Sequence, residues 1–344
     1  MTTELHNLHP SLTRGWLPLC RRSEVRTSPS SFRLLDRNWV AYETSNGDIA
    51  VFEDICPHRR APLSLGTCEG DNLRCPYHGW VFDEHGKCIE IPALGEDATI
   101  PPRAKLTGPA GVAVTHGMVL ISIDEPITEP PRISVSGDET YMVGDLPILR
   151  TRGSVALLAD NFLDMAHFPF VHAKTFGAGE ERVVPQYSVE RDGYGFEAVY
   201  EHQFANREDP KVATGERPLL QTRRLTYRYQ APFHLELAID FLDAGGTNVI
   251  GFFLCPEDSE NVRLYSSLWR NDLGGSVAAM QEAIDFEVAV VEEDLQLQSR
   301  FVSLTMPTDV TSEVHTRADR TTIELRRILS DFMEATTNGR AGEI

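Results

Sequence analysis

The stretch CPYHGW at residues 75–80 sets a thiol, a phenol, an imidazole and an indole within six positions. Upstream, CPH at residues 56–58 repeats the thiol–imidazole pairing. The two give Cys56-x-His58, sixteen intervening residues, then Cys75-x-x-His78. Four ligands of this kind in two short loops ask for a metal. Two cysteines and two histidines could close a tetrahedral zinc site. Zinc modules of that composition usually pair cysteine with cysteine and histidine with histidine. Here each loop carries one of each.

The surroundings read as short strands and tight turns. WVAYE (39–43) and DIAVFED (48–54) flank Ser45-Asn46-Gly47, and GWVFD and KCIEIP flank Glu84-His85-Gly86; both are hairpin signals. Each Cys/His loop therefore sits at the end of a hairpin, which suits a metal clamped between two rigid fingers.

The mixed arrangement is that of a Rieske [2Fe–2S] centre, where two thiolates hold one iron and two imidazoles the other. Through CPHR at 56–59 and CPYHGW at 75–80 the chain resembles the Rieske family. The resemblance implies Cys56, His58, Cys75 and His78 as cluster ligands. Respiratory Rieske proteins add a disulfide-forming cysteine to each loop. CPHRR and CPYHGW contain none, so the loops resemble the oxygenase and ferredoxin branch. Cys68 and Cys88 lie outside both loops and read as ordinary buried thiols.

At 344 residues the chain can bury a large core and hold two domains. Its net charge of -19 is uneven: residues 1–128 hold 12 Lys+Arg against 16 Asp+Glu, and 129–344 hold 20 against 35. Nucleic acid is excluded as a partner on this count, because phosphate contacts need a basic footprint. No segment has the apolar length of a membrane span or the pattern of a signal peptide, which makes the cytoplasm the default. The proline-rich EPITEPPR (125–132) marks a boundary, giving expected domains of 1–128 and 129–344.

Beyond the boundary the pattern changes. SVALLADNFLDMAHF (154–168) has helical spacing at Val155, Leu158, Phe162 and Met165, with Pro169 as a stop. Residues 186–270 alternate in β fashion. QEAIDFEVAVVEEDLQLQSRF (281–301) is a long helix with Ile284, Val288, Val291 and Leu295 on one face. The expectation is an α+β fold in which a curved antiparallel sheet carries a long C-terminal helix.

A second ligand set begins this region, as Asn161-Phe-Leu-Asp164-Met-Ala-His167 followed by Phe-Pro-Phe-Val-His172. His167 lies one helical turn after Asp164, and His172 can swing back toward it. Two imidazoles and one carboxylate on one face of a metal leave positions open for dioxygen, the facial triad of non-haem Fe(II) oxygenases. On the C-terminal helix Asp285, Glu292, Glu293 and Asp294 are candidates for the carboxylate. Asp294 lies beside the apolar stripe, and the others read as a solvated face.

The string D-x-x-H-x-x-x-x-H resembles the mononuclear-iron motif of Rieske non-haem iron oxygenases, with the family's Asn at 161. Together the two motifs extend the resemblance over essentially the whole chain. VVEEDLQLQ is similar to the vanillate-demethylase and dicamba-monooxygenase subgroup, which points to Asp294 as third ligand beside His167 and His172. The resemblance implies an all-β Rieske domain followed by a helix-grip (START-like) catalytic domain. It also implies a head-to-tail homotrimer, in which Asp164 bridges His167 to His78 of a neighbouring copy.

The activity so implied is that of a terminal oxygenase component. Electrons would come from NAD(P)H through a flavin- and iron–sulfur-containing reductase or a ferredoxin. A small organic substrate, aromatic or polycyclic, would be hydroxylated or O/N-demethylated with O2. The alternatives are a Rieske electron-transfer or redox-sensing protein without oxygenase activity, and a zinc-stapled binding protein. Phe233, Phe241, Phe252 and Trp269 are the aromatics expected to line a substrate pocket. Arg59, Arg60 and Lys87, near the cluster loops, are expected contacts for an acidic redox partner.

Overall fold

The computed structural model describes residues 4–95, 99–177, 182–206 and 209–340. Two compact units emerge. One comprises residues 12–130 with 257–259; the other comprises the described parts of 1–11, 131–256 and 260–344.

The first unit is built from short antiparallel strands. Ser30–Leu34, Arg37–Glu43 and Ile49–Glu53 form a three-stranded sheet, Thr67–Glu69, Asn72–Arg74, Val81–Phe82 and Cys88–Glu90 a four-stranded one, and Leu17–Arg21, Gly111–Thr115 and Met118–Ser122 a third. Both hairpins read from the sequence are present. The first Cys/His loop leaves the end of Ile49–Glu53, and the second is itself the connection between the paired strands Asn72–Arg74 and Val81–Phe82. Tyr42, Phe52, Leu63, Leu73 and Phe82 form the core beneath them, with Cys56, Cys75 and Cys88 built into it.

The second unit is an eight-stranded antiparallel sheet. Across it run Met142–Asp145, Asn261–Arg270, Thr247–Pro256, His234–Phe241, Leu220–Gln230, Gly195–Ala205 and Ser188–Asp192; Leu149–Arg152 also pairs with Asn261–Arg270. The helices are α1 (Val155–Leu163), α2 (Phe168–Val171), a single turn α3 (Pro210–Ala213), α4 (Val277–Gln298) and α5 (Arg320–Arg340). α4 packs on the Met142–Asp145 strand, α5 on Ser188–Asp192 and Gly195–Ala205, and α1 on Thr247–Pro256 between the two. Gly144 permits the close approach of α4, because a Cβ there would lie 2.6 Å from Met280 Sδ and 2.9 Å from Ile284 Cδ1.

Sheet plus long helix was legible, yet two local readings change. The segment 154–168 is not one helix. α1 ends at Leu163, and Asp164 is extended (φ -82°, ψ 141°). Pro169 does not stop a helix but stands in the first turn of α2, where its missing N–H removes no hydrogen bond. The unread α5 is a second long helix, whose Leu325, Ile328, Leu329, Phe332 and Met333 bury one stripe.

Candidate metal centres

The two Cys/His loops are backbone copies of one another. Cys56 N donates to Ala61 O at 2.9 Å and Arg60 N to Cys56 O at 2.9 Å; Cys75 N donates to Trp80 O at 2.8 Å and Gly79 N to Cys75 O at 3.2 Å. The fifth residue of each is left-handed, Arg60 at φ 61° and Gly79 at φ 69°. Glycine adopts that conformation freely and arginine does not. Both thiols are buried while His78 is exposed and His58 half-buried. The two imidazole centroids lie 4.5 Å apart, and Trp80 stacks on His58 at 4.6 Å.

These residues suit a binuclear cluster. Burial pushes the Cys56 thiol up to about 11, with the Cys75 thiol adding to the shift, so iron must replace the protons. His58 Nδ1 is buried with no partner. An orphaned imidazole nitrogen beside two buried thiols fits the donor set of a [2Fe–2S] group. Arg74 braces the second loop, gripping Glu69 at 2.6 and 2.8 Å and donating to Gly79 O at 2.9 Å.

In the second unit three acceptors converge. His167 Nε2 and His172 Nε2 are 3.1 Å apart, and Asp294 Oδ1 lies 3.6 Å from the first and 3.4 Å from the second. Each ring has its other nitrogen on a carboxylate: His167 Nδ1 on Asp164 Oδ2 at 2.9 Å, His172 Nδ1 on Glu293 Oε2 at 3.1 Å. Ionised carboxylates only accept, so Nδ1 carries the proton in both rings and both Nε2 lone pairs face inward. Two lone pairs and a buried, partnerless carboxylate oxygen repel one another unless a cation lies between them. Ligands about 2.1 Å from one ion and roughly 90–110° apart stand about 3.0–3.4 Å from each other, close to what is seen. His167, His172 and Asp294 together form a facial triad suited to Fe(II).

The Asp164–His167 pair does not arise from a shared helical face. The Asp164 carboxylate accepts from Ala166 N at 3.1 Å, His167 N at 2.9 Å and His167 Nδ1, an Asx-type turn at the α1 C-terminus. Burial pushes its pKa upward, but His167 and these amides outweigh burial and hold it below the usual value. Burial raises the Asp294 carboxyl and lowers His172. Gly177 closes the turn after His172; a Cβ there would sit 2.0 Å from Phe168 O.

Glu293, expected with Asp285 and Glu292 on a solvated face, does not belong to one. Its side chain is 13% exposed, and it takes hydrogen bonds from His172 and from Thr175 Oγ1 at 2.8 Å. Asp285 and Glu292 are exposed as read. Asn161 hydrogen-bonds the Asp294 side chain and accepts from Gln298 Nε2 at 2.8 Å. Gln298, one turn after Asp294 on α4, carries no signal in the sequence, whereas Glu293 stands among the candidate carboxylates but with its role behind His172 unread.

A cavity of about 260 Å3 opens onto the triad. Phe162, Phe176, Phe204, Phe241, Phe252 and Phe286 give it apolar walls. Of the four aromatics expected there, Phe241 and Phe252 line it. Phe233 and Trp269 are buried elsewhere, since alternation turns Trp269 to the opposite face from its neighbour Arg270.

Known proteins place these features in context. Residues 15–105 match the Rieske [2Fe-2S] domain, and residues 152–335 match the vanillate O-demethylase oxygenase C-terminal domain. The methylxanthine N1-demethylase NdmA of Pseudomonas putida is 28% identical over 336 residues, covering 95% of this chain and 91% of its own. The methylxanthine N3-demethylase NdmB of the same organism is 28% identical over 348 residues, covering 96% and 92%. The structure of P. putida NdmA with caffeine superposes with a TM-score of 0.82 at 26% identity, covering 96% of this chain and 94% of that one. Dicamba monooxygenase, at 17% identity and a TM-score of 0.79, shares the fold.

Proposed function

Since the chain belongs to the Rieske non-haem iron oxygenases of the vanillate O-demethylase type, and is the terminal oxygenase component of such a monooxygenase system, we propose that it removes a methyl group from oxygen or nitrogen of a compact, mostly aromatic molecule. The observation that carries this reading is the phenylalanine-walled cavity of about 260 Å3 ending on the triad. The demethylase names of NdmA and NdmB support it.

In this reading Cys56, Cys75, His58 and His78 hold the cluster, and His167, His172 and Asp294 hold the ferrous ion. When bound, the cluster supplies single electrons and the ferrous ion activates dioxygen. One dioxygen, two electrons and two protons convert X–CH3 into X–CH2OH and water; the carbinol then splits into X–H and formaldehyde. The chain's own residues set the conditions. The aromatic walls exclude water and fix the methyl group against the triad. Asp164 and Glu293 keep a proton on each Nδ1, which leaves both Nε2 atoms free to ligate. Gln298 donates to the Asn161 carbonyl, so the Asn161 amide NH2 turns toward Asp294.

Electrons come from NAD(P)H through a flavin/iron–sulfur reductase or ferredoxin. Exposed Arg59, Arg60 and Lys87 suit docking of an acidic partner. A head-to-tail homotrimer is part of the same reading, with Asp164 as the link to His78 of a neighbouring copy. Its side chain is 24% exposed and borders a surface groove with His167, Gln298, Phe301 and His315. Among the described residues no helix is long and apolar enough to cross a membrane. Free cysteines and a pyridine-nucleotide reductase suit a cytoplasmic setting.

The test is turnover of methoxy-arenes and N-methyl heteroarenes with a reductase, measuring formaldehyde against O2 consumed. Equimolar formaldehyde is expected. Hydroxylated product without formaldehyde overturns demethylation and leaves hydroxylation.

A further inference from the structure

Besides the triad's Asp294, two residues that line the cavity each carry a buried side-chain atom with no hydrogen-bond partner: Tyr227 (Oη) and Asn248 (Oδ1). Tyr227 is 0% exposed and Asn248 8%. Buried polar groups left unmade destabilise a fold, so such atoms are rare and call for a missing partner. Other polar side chains of this wall are engaged within the protein. Arg270 grips Asp272 at 2.8 and 2.7 Å, Arg223 donates to His202 at 2.6 Å, and Asn206 donates to Gln221 at 3.0 Å.

Their placement follows from the sheet. Tyr227 pairs with Leu237, and Leu237 with Ile250, two residues along the same strand from Asn248. Strands about 4.8 Å apart, rising about 3.3 Å per residue, put the Tyr227 and Asn248 Cα atoms about 12 Å apart. The Tyr227 ring packs 6.2 Å from Phe162, next to Asn161. Tyr227 therefore marks the end of the cavity nearest the metal ligands. Asn248 marks the end by Arg270, with which it is in register. Burial keeps the Tyr227 phenol protonated, so it is a donor. The unpartnered atom of Asn248 is an acceptor.

Resting on the demethylase reading above, we propose that Tyr227 and Asn248 are the two polar anchors of the substrate. The substrate is then an uncharged, planar, methyl-bearing arene or heteroarene with polar groups at both ends. At one end the heteroatom beside the methyl group, or a carbonyl adjoining it, accepts from Tyr227. At the other an O–H or N–H donates to Asn248. The rings of Phe162, Phe204, Phe241 and Phe252 hold the flat body between them.

The test uses matched probes on the oxidised holoenzyme: 6-methoxy-2-naphthol against 2-methoxynaphthalene, and an N-methyl bicyclic lactam with and without a distal ring N–H. Binding is measured by calorimetry and formaldehyde release in parallel. The probe with the distal donor should bind about tenfold tighter, roughly 1.4 kcal/mol. That preference should vanish in Asn248→Leu and persist in Tyr227→Phe, which should weaken both members of a pair alike. Neither substitution should lower Tm, because each removes an atom with no partner inside the protein. A preference that survives Asn248→Leu overturns the inference, as does a fall in Tm with either variant. Formaldehyde release without any preference overturns the anchors and keeps demethylation. Preference without formaldehyde keeps the anchors and overturns demethylation. If no probe binds, both fall.

Discussion

His172 Nδ1 stands 3.1 Å from Glu293 Oε2, on the residue immediately before the triad's carboxylate. One turn of α4 thus presents Asp294 to the metal position and Glu293 to the back of a histidine on another element. Thr175 donates to the same Glu293 oxygen and fixes its rotamer. His167 has its own carboxylate in Asp164. Each imidazole is held from behind, so neither has to find its orientation when iron binds.

Removing that support should show in metal affinity before it shows anywhere else. Glu293→Ala should weaken Fe(II) binding by about 10–100-fold, the usual effect of losing a carboxylate behind a ligating histidine. Glu293→Gln, which can still accept from Nδ1, should do so less. Iron retained after dialysis against graded chelator measures both. Equal retention in Glu293→Ala and the parent would assign Glu293 to packing alone.

Asp294→Ala should lose the mononuclear iron and all product formation while the visible spectrum of the cluster stays unchanged, because the cluster ligands belong to the other unit. The iron-free parent adds a second signature. Burial raises the Asp294 carboxyl above its ordinary value, so the folded chain holds this proton at a pH where the unfolded chain has released it. Stability from this group is full at low pH and is lost as pH rises through the raised pKa. Asp294→Asn should remove that loss from the iron-free protein, seen as a smaller fall in Tm on going toward neutral pH.

His202 supplies the opposite slope. Burial, then the Arg223 guanidinium, lowers its pKa from 6.5 to about 3, and its Nε2 accepts from Arg223 at 2.6 Å. The unfolded chain binds a proton below pH 6.5 that the folded chain refuses, so stability is full above that value and falls on acidification. The slope is about 1.4 kcal/mol per pH unit, or about 2 kcal/mol between pH 6.5 and 5. His202→Gln keeps an acceptor for Arg223 and removes the titration. Its urea midpoint should change correspondingly less over that range.

The cluster loops were the most legible part of the molecule, because four ligands of two types in fixed order allow few other readings. The backbone copy of the two loops was not legible, since Arg60 gives no hint that it shares the left-handed conformation of Gly79. His167 and His172 stood out by their spacing and Asp294 by its place beside the apolar stripe and the family resemblance, but their mutual geometry was not legible. Pro169 reads as a breaker in any helical string and as an initiator only once Asp164 has already ended α1. Glu293 sits between an exposed glutamate and an aspartate, and composition cannot say which carboxylates turn inward. Trp269 and Phe241 look alike as aromatics at β spacing; strand parity decides that only one of them meets the cavity. α5 carries its own helical signal in the repeating Leu325, Ile328, Leu329 and Phe332, all buried on one stripe.

Cys75→Ser should abolish the visible absorption of the cluster, since an alcohol in place of a buried thiol cannot supply the thiolate an Fe–S centre needs. The mononuclear site should still take up one iron per chain. A variant that keeps full colour would remove Cys75 from the ligand set and reopen a zinc reading of the loops.

Asp164 separates a coupled pair of metal sites from two independent ones. Asp164→Asn keeps the shape of the side chain and can still accept the Ala166 and His167 amides, but it removes the charge behind His167. Both metals should stay bound, and a reductase should still reduce the cluster at the parent rate. What should fail is reoxidation of the cluster in the presence of oxygen and substrate, followed under stopped flow, and turnover should drop by orders of magnitude. Slowed cluster reduction would instead move Asp164 to the reductase-facing surface. Normal reoxidation in a variant that still assembles as a trimer would show that electrons reach the triad without it.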